Sequence, residues 1–190
     1  MEFLQKILNT DTELFLFLNS FHNHFWDNVM LMITRKETWL PFFLVILFLI
    51  IKNYRAKSIL ILVMLSLTIL LSDQVSVLLK ETIQRLRPVY DPQLDGLVHN
   101  VFRKGGLYGF VSSHAANSFA LATFLSLLMG RKIKYFTLLI LFWALLLSYS
   151  RIYLGVHYPG DVIVGGIWGA GIGSAIYIST RKLFLQFFQP

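Results

Sequence analysis

Five stretches of this chain are long, apolar and nearly free of charge: about Glu37 to Ile51, Ser58 to Leu79, Ser113 to Met129, Ile133 to Tyr149 and Val162 to Ile178. A helix that crosses a bilayer needs roughly 20 mostly apolar residues, with a range of about 17–25. The runs therefore read as spanning helices. Composition agrees: 56% of residues are hydrophobic and 14% are charged, with a mean hydropathy of +0.63. Ordinary globular chains carry about 25% charge. The expected fold is all-α, a polytopic transmembrane helix bundle of about five spans. Its 190 residues fit one domain.

The stretch Leu14 to Ile33 is less clear. Leu14, Phe15, Phe17, Leu18 and Phe21 recur at helical spacing, but Asn19, His22, Asn23, His24 and Asp27 interrupt them. Such a segment suits an amphipathic helix in the membrane interface, within an N-terminal interfacial segment 1–36. Trp26 and Trp39 fit an aromatic belt. Read as a span it would be a sixth, and it would bury several polar side chains at a cost. Met1 to Asn9 carries no signal-peptide pattern, so the first membrane helix is expected to do the targeting. The chain has no cysteine, which excludes disulfides and thiolate chemistry.

The charge is not spread evenly. Lys52, Arg55, Lys57, Arg131, Lys132, Lys134, Arg181 and Lys182 follow alternate spans, with no acid among them. These eight leave nine Lys/Arg against ten Asp/Glu elsewhere. Cytoplasmic loops are rich in Lys and Arg, so this end of the bundle is expected to be cytoplasmic. Short juxtamembrane turns and anionic lipid account for the net charge of +7, so no nucleic-acid partner is expected.

Three polar islands fall at the opposite end. The first runs from Lys80 to Pro88. Lys80 and Arg87 are seven apart, two helical turns, and so would share a face. They could clamp a phosphate or snorkel as membrane anchors. The second is Ser112-Ser113-His114, just before an apolar run. Serines there are N-cap candidates, and the free N–H groups of a first turn attract anions. A capped helix with an incidental histidine is the plainer alternative. The third runs from Ser150 to Asp161. There His157 and Asp161, four apart, straddle Pro159-Gly160. A carboxylate beside a histidine fixes its tautomer, although a simple turn would also bear such a pair.

Taken together, the islands resemble the type 2 phosphatidic acid phosphatase family. That family carries a Lys–six residues–Arg-Pro motif, then Pro-Ser-Gly-His, then Ser-Arg–five residues–His–three residues–Asp. This chain has Lys80, Arg87 and Pro88, then Ser112 and His114, then Ser150, Arg151, His157 and Asp161. Val111 stands where the family has proline, and Ser113 where it has glycine. The motifs span residues 80–161.

The resemblance implies a phosphatase of lipid phosphates or diphosphates that uses neither metal nor cofactor. It assigns His157 as nucleophile, oriented by Asp161, and His114 as the acid that protonates the leaving oxygen. It places Lys80, Arg87, Ser112, Ser113 and Arg151 on the phosphoryl oxygens. It also implies a bacterial inner membrane enzyme, with a site facing the periplasm and membrane lipids around it. Undecaprenyl diphosphate and lipid A phosphate are the leading substrates. Phosphatidylglycerophosphate, phosphatidic acid and transfer to a second lipid are the alternatives. A transporter fits poorly, because transporter sites sit near the midplane.

Asp73, seven before Lys80, is expected to play a supporting role between helices. His22, His24 and His99 match no motif. Arg85, Arg103 and Lys104 could meet a polyanionic headgroup or be solvated. The segment Val89 to Tyr108 reads as a lid or headgroup-reading loop.

Overall fold

The structure is a computed structural model and describes residues 2–101 and 105–187. Those residues form seven α-helices joined by turns: α1 (Glu2–Asn19), α2 (His24–Thr34), α3 (Leu40–Tyr54), α4 (Ser58–Ile83), α5 (Ser113–Met129), α6 (Phe136–Tyr153) and α7 (Pro159–Phe187). The fold is an all-α membrane bundle. Among the described residues, three helical runs are long and apolar enough to cross a membrane: Glu37–Ile83, Phe136–Tyr153 and Pro159–Gln186. The first of them turns at Arg55, whose φ is +47°, to give α3 and α4.

α5 sits at the centre, packed against α4, α6 and α7. Its Ala115, Ala116, Ala120, Ala122 and Phe124 are fully buried. A helix buried on every side needs no polar face. α7 lies on it through glycines. A Cβ at Gly165, Gly169 or Gly173 would come within 2.8, 2.0 or 2.3 Å of the carbonyl oxygens of Ser112, Ala116 and Ala120. Both ladders step by four residues, one helical turn, so small residues let two backbones touch. The outer faces are greasy, with Phe48, Ile59, Leu138, Phe142 and Ile167 all more than 60% exposed. Surface of that kind suits lipid rather than water.

The basic turns meet at one end. Tyr54 at the close of α3 donates to the Leu128 carbonyl of α5 at 2.6 Å. Lys132 lies 3.9 Å from the Tyr54 ring, and Phe184 of α7 stacks on the same ring.

The N-terminal stretch departs from expectation. Leu14 to Ile33 is two helices rather than one. The interrupting asparagines are the break. Asn19 is buried and spends its amide on other segments, accepting from His99 N–H at 2.8 Å and donating to the Tyr153 carbonyl at 2.8 Å. Asn23 starts α2 by accepting the Trp26 N–H at 3.0 Å, an N-cap that ends any continuous helix.

Candidate active site

The three islands converge, but not along one helix face. α4 ends at Ile83, and Gln84 closes it in a left-handed conformation, with its N–H on the Lys80 carbonyl at 3.0 Å. The chain then runs extended, because the residue before Pro88 avoids the helical region; Arg87 has φ −71° and ψ 154°. Lys80 therefore points from the helix and Arg87 from an extended strap. The two-turn spacing is a correction: the cap at Gln84, not helix periodicity, brings them to one place. Extended backbone also puts Arg85 and Arg87 on one face.

The strap is pinned on the far side of the loop. Arg87 N–H donates to Leu107 O at 3.1 Å, and Gly109 N–H to Arg85 O at 2.8 Å. Tyr90 donates to Gly105 O at 3.0 Å. The loop's beginning and end are thus held together. Arg103 and Lys104 lie outside the described residues.

His157 and Asp161 flank the start of α7. Pro159 takes the first helical position, where its missing N–H costs nothing. Asp161, in that first turn, reaches back to the Tyr158 N–H at 3.0 Å. This is the backward half of a capping box. The same oxygen, Oδ2, lies 3.4 Å from His157 Nδ1. On the other side of the ring, His157 Nε2 lies 3.3 Å from Arg87 Nη1. An arginine can only donate, so Nε2 is the acceptor and Nδ1 bears the proton toward Asp161. His157 is 2% exposed and Asp161 fully buried. Burial, with Arg87, Arg151 and Lys80 nearby, holds the His157 imidazole well below its usual value. Burial also lowers Arg87 from its ordinary value.

The second island divides its work. Ser112 is fully buried, and its hydroxyl accepts the Ala115 N–H at 3.4 Å as the α5 cap. Its own N–H donates to the Asp161 carbonyl at 3.0 Å, tying α5 to α7. Ser113 instead faces Lys80, whose ammonium donates to its hydroxyl. Ser113 and His114 line a cavity of about 670 Å³. Arg151, Arg87 and Lys36 are the cations near His114, and His157 is a further neighbour. Arg151 is 4% exposed and donates to Thr34 at the end of α2.

The cavity runs away from the polar site between α3, α4, α5 and α6. Its wall includes Phe43, Ile46, Leu62, Leu65, Leu121 and Trp143. Arg35 and Lys36 also line it. Asp73 accepts from Asn117 at 3.2 Å, a bond between α4 and α5 beside this cavity. Among the described residues no group of three or more His, Cys, Asp or Glu is arranged to hold a metal ion. The cations around His157 are Arg87, Arg151 and Lys80.

Two acidic contacts escaped the sequence reading. Arg85 is half-buried and held by two carboxylates. It pairs with Asp161 at 2.9 Å and with Asp11 at 2.7 Å. Its place two residues before Arg87 was the available signal, once the strap is known to be extended. Asp11 had no signal, since it comes from α1. His99 likewise has a partner, Asp27, at 2.8 Å, and its ring stacks on His22.

A membrane bundle that gathers three cations, two histidines and a buried carboxylate at one end, beside an apolar cavity, defines an enzyme that handles phosphate on lipids. The family model described as "PAP2 superfamily" matches residues 56–185. A lipid A 4′-phosphatase of Bacteroides thetaiotaomicron is 41% identical over 96% of this chain and 81% of its own length. One of Porphyromonas gingivalis is 33% identical over 92% and 74%. The crystal structure of Aquifex aeolicus LpxE superposes with a TM-score of 0.68 at 25% identity, covering 90% of this chain and 94% of that one. A PAP2 type phosphatidylglycerolphosphate phosphatase of Bacillus subtilis shares the fold, with a TM-score of 0.70 at 23% identity over 97% and 90%. The chain belongs to the PAP2 superfamily of membrane lipid phosphatases.

Proposed function

We propose that this protein removes the 4′-phosphate of lipid A at the outer face of the bacterial inner membrane, through a phosphohistidine. The observation that carries the reaction is the setting of His157: Nδ1 against Asp161, Nε2 against Arg87, both at hydrogen-bond range. The arrangement leaves an uncharged ring with its lone pair aimed at a cation. A phosphoryl group held by Arg87 would sit in line with that lone pair.

Nε2 forms a bond to phosphorus while the bond to the sugar oxygen breaks. His114 gives its proton to the leaving oxygen. Water then attacks phosphorus, His114 takes the proton back, the N–P bond breaks and inorganic phosphate leaves. Lys80, Arg87, Arg151 and the N–H groups that open α5 hold the phosphoryl oxygens as charge develops. Ser113 adds a hydroxyl beside Lys80, and buried Ser112 shapes the turn. These fixed cations neutralise the phosphate without a metal.

The substrate reading rests on the cavity and on the relatives. Apolar walls that start at Ser113 and His114 let acyl chains stay in the bilayer while the headgroup reaches His157. Arg35 and Lys36 beside the same cavity suit a headgroup with more than one negative charge. Two relatives that align over most of this chain are lipid A 4′-phosphatases. A polyprenyl substrate is the second reading. A decaprenylphosphoryl-5-phosphoribose phosphatase of Mycobacterium tuberculosis is 37% identical over 54% of this chain and 51% of its own length. The excess Lys and Arg at the far end supports a site that faces the periplasm. We read residues 1–190 as one phosphatase domain.

The test is phosphate release by the purified protein from bisphosphorylated lipid A and from undecaprenyl diphosphate, with mass spectrometry of the lipid product. Lipid A is expected to lose its 4′-phosphate. Release from the polyprenyl diphosphate alone would overturn the substrate. His157→Ala should abolish release while the protein still folds in detergent; retained turnover would remove His157 as nucleophile.

A further inference from the structure

Behind His157 lies a polar chain that reaches beyond the motif residues. It runs from Asp161 to Arg85 to Asp11 and ends at the first turn of α7. The two oxygens of Asp161 have separate tasks. Oδ2 faces His157 Nδ1 at 3.4 Å and the Tyr158 N–H at 3.0 Å. Oδ1 accepts from Arg85 Nη1 at 2.9 Å. Asp161 has no exposed surface, and a buried carboxylate stays ionised only when it is paired and hydrogen-bonded. Arg85 is the cation in contact with it.

Arg85 is itself held. Its other terminal nitrogen, Nη2, meets Asp11 Oδ2 at 2.7 Å. Its guanidinium lies 3.9 Å from the centre of the Tyr158 ring. Asp11 is fixed at its second oxygen by the Gly160 N–H at 2.7 Å. A Cβ at residue 160 would stand 2.7 Å from Asp11, so only glycine allows this approach. The planar fork of arginine suits a bridge between two carboxylates, where a lysine would offer a single point charge. Both Nη atoms of Arg85 are thus engaged by acids, whereas Arg87 turns toward His157 Nε2.

We propose that Arg85 and Asp11 are positioning residues of the reaction: Asp11 holds Arg85 on Asp161 Oδ1, which leaves Oδ2 to orient His157. This rests on the reading of His157 as nucleophile. It also gives α1 a task. Asp11 lies outside residues 56–185, the part matched by the family model, so the N-terminal helix completes the support of the site.

The experiment measures kcat and KM for phosphate release from lipid A by the full chain in detergent, with melting temperature alongside. The variants are Arg85→Gln, Arg85→Lys, Asp11→Asn and the double Asp11→Asn/Arg85→Gln. Groups that orient a reactive ligand typically cost 10–100-fold when removed. Arg85→Gln should lower kcat by about that factor with KM unchanged. Arg85→Lys should recover part of the loss. Asp11→Asn should lower kcat less, and the double variant should match Arg85→Gln alone, because residues in one chain of contacts are not additive. A raised KM with unchanged kcat would make Arg85 a substrate ligand and overturn the proposal. Wild-type kcat in Arg85→Gln would also overturn it. If Arg85→Gln does not fold, Arg85→Lys and Asp11→Asn decide by the same split. His157→Ala is the control: activity retained there fails the nucleophile reading, whereas its loss beside a wild-type Arg85→Gln fails this inference alone.

Discussion

The chemistry proposed for this protein turns on what each nitrogen of one imidazole touches. His157 is buried among cations and held well below its ordinary value. A base whose value is lowered stays uncharged as the pH falls through the usual imidazole range near ~6.5. The neutral nucleophile should therefore remain fully present at pH 6. Measured kcat/KM, corrected for the second ionisation of the phosphate substrate near ~6, should show no acid limb centred on 6.5. Such a limb would mean an exposed, ordinary histidine. Gly109 supports the same ring. A Cβ there would stand 3.1 Å from Asp161 Oδ2, 3.1 Å from Arg87 Cγ and 3.5 Å from His157 Nδ1. Gly109→Ala should lower kcat by about 10-fold or more, since displacements under an ångström matter at a reacting centre. Unchanged turnover would show that the strap yields.

At the scale of elements, the glycine ladder of α7 does the joining. Gly169 meets the Ala116 carbonyl so closely that a Cβ would lie 2.0 Å away. Gly169→Val must push α7 from α5. Overpacking of this kind costs about 1–3 kcal/mol. The start of each of these helices carries candidate site residues: Ser113 and His114 on α5, Asp161 on α7. Gly169→Val should therefore lower both the melting temperature and phosphate release. Loss of neither would mean that the two helices slide without consequence. The ladder was visible in the sequence as Gly165, Gly169 and Gly173, yet spacing alone does not say which helix it meets.

Across the whole molecule, charge and cavity place the reaction in the membrane. Leu97 lies near the polar end and is 62% exposed; the chain has no cysteine of its own. A single Leu97→Cys should react with a membrane-impermeant thiol reagent in intact cells, while a cysteine at Asn53 should not. The reverse pattern would invert the topology. Chelators should leave phosphate release unchanged, and vanadate, which mimics the phosphoryl group in its transition state, should inhibit it. Loss of activity in EDTA would sink the cation-only mechanism. Leu65→Trp, which fills part of the apolar cavity, should raise KM for lipid A more than for a short-chain phosphate ester. Equal effects on both would separate that cavity from the acyl chains.

The sequence by itself determined the membrane character, the helical class and the candidate residues for the reaction. Those follow from local facts: apolar length, charge scarcity, and motif spacing that survives whatever lies between. Only the tertiary structure decided how the residues meet. Lys80 and Arg87 share a site through the reversal at Gln84, which helical spacing cannot show. Ser112 caps α5, and Asn19 and Asn23 divide the N-terminal stretch into two helices. Asp11 and Arg85 are 74 positions apart in the sequence numbering, yet 2.7 Å apart in the fold. No periodicity predicts such a pair, because it depends on how α1 lies across the start of α7. A buried carboxylate must find its cation wherever packing delivers one, and here the cation is held in place by an acid from outside the motifs.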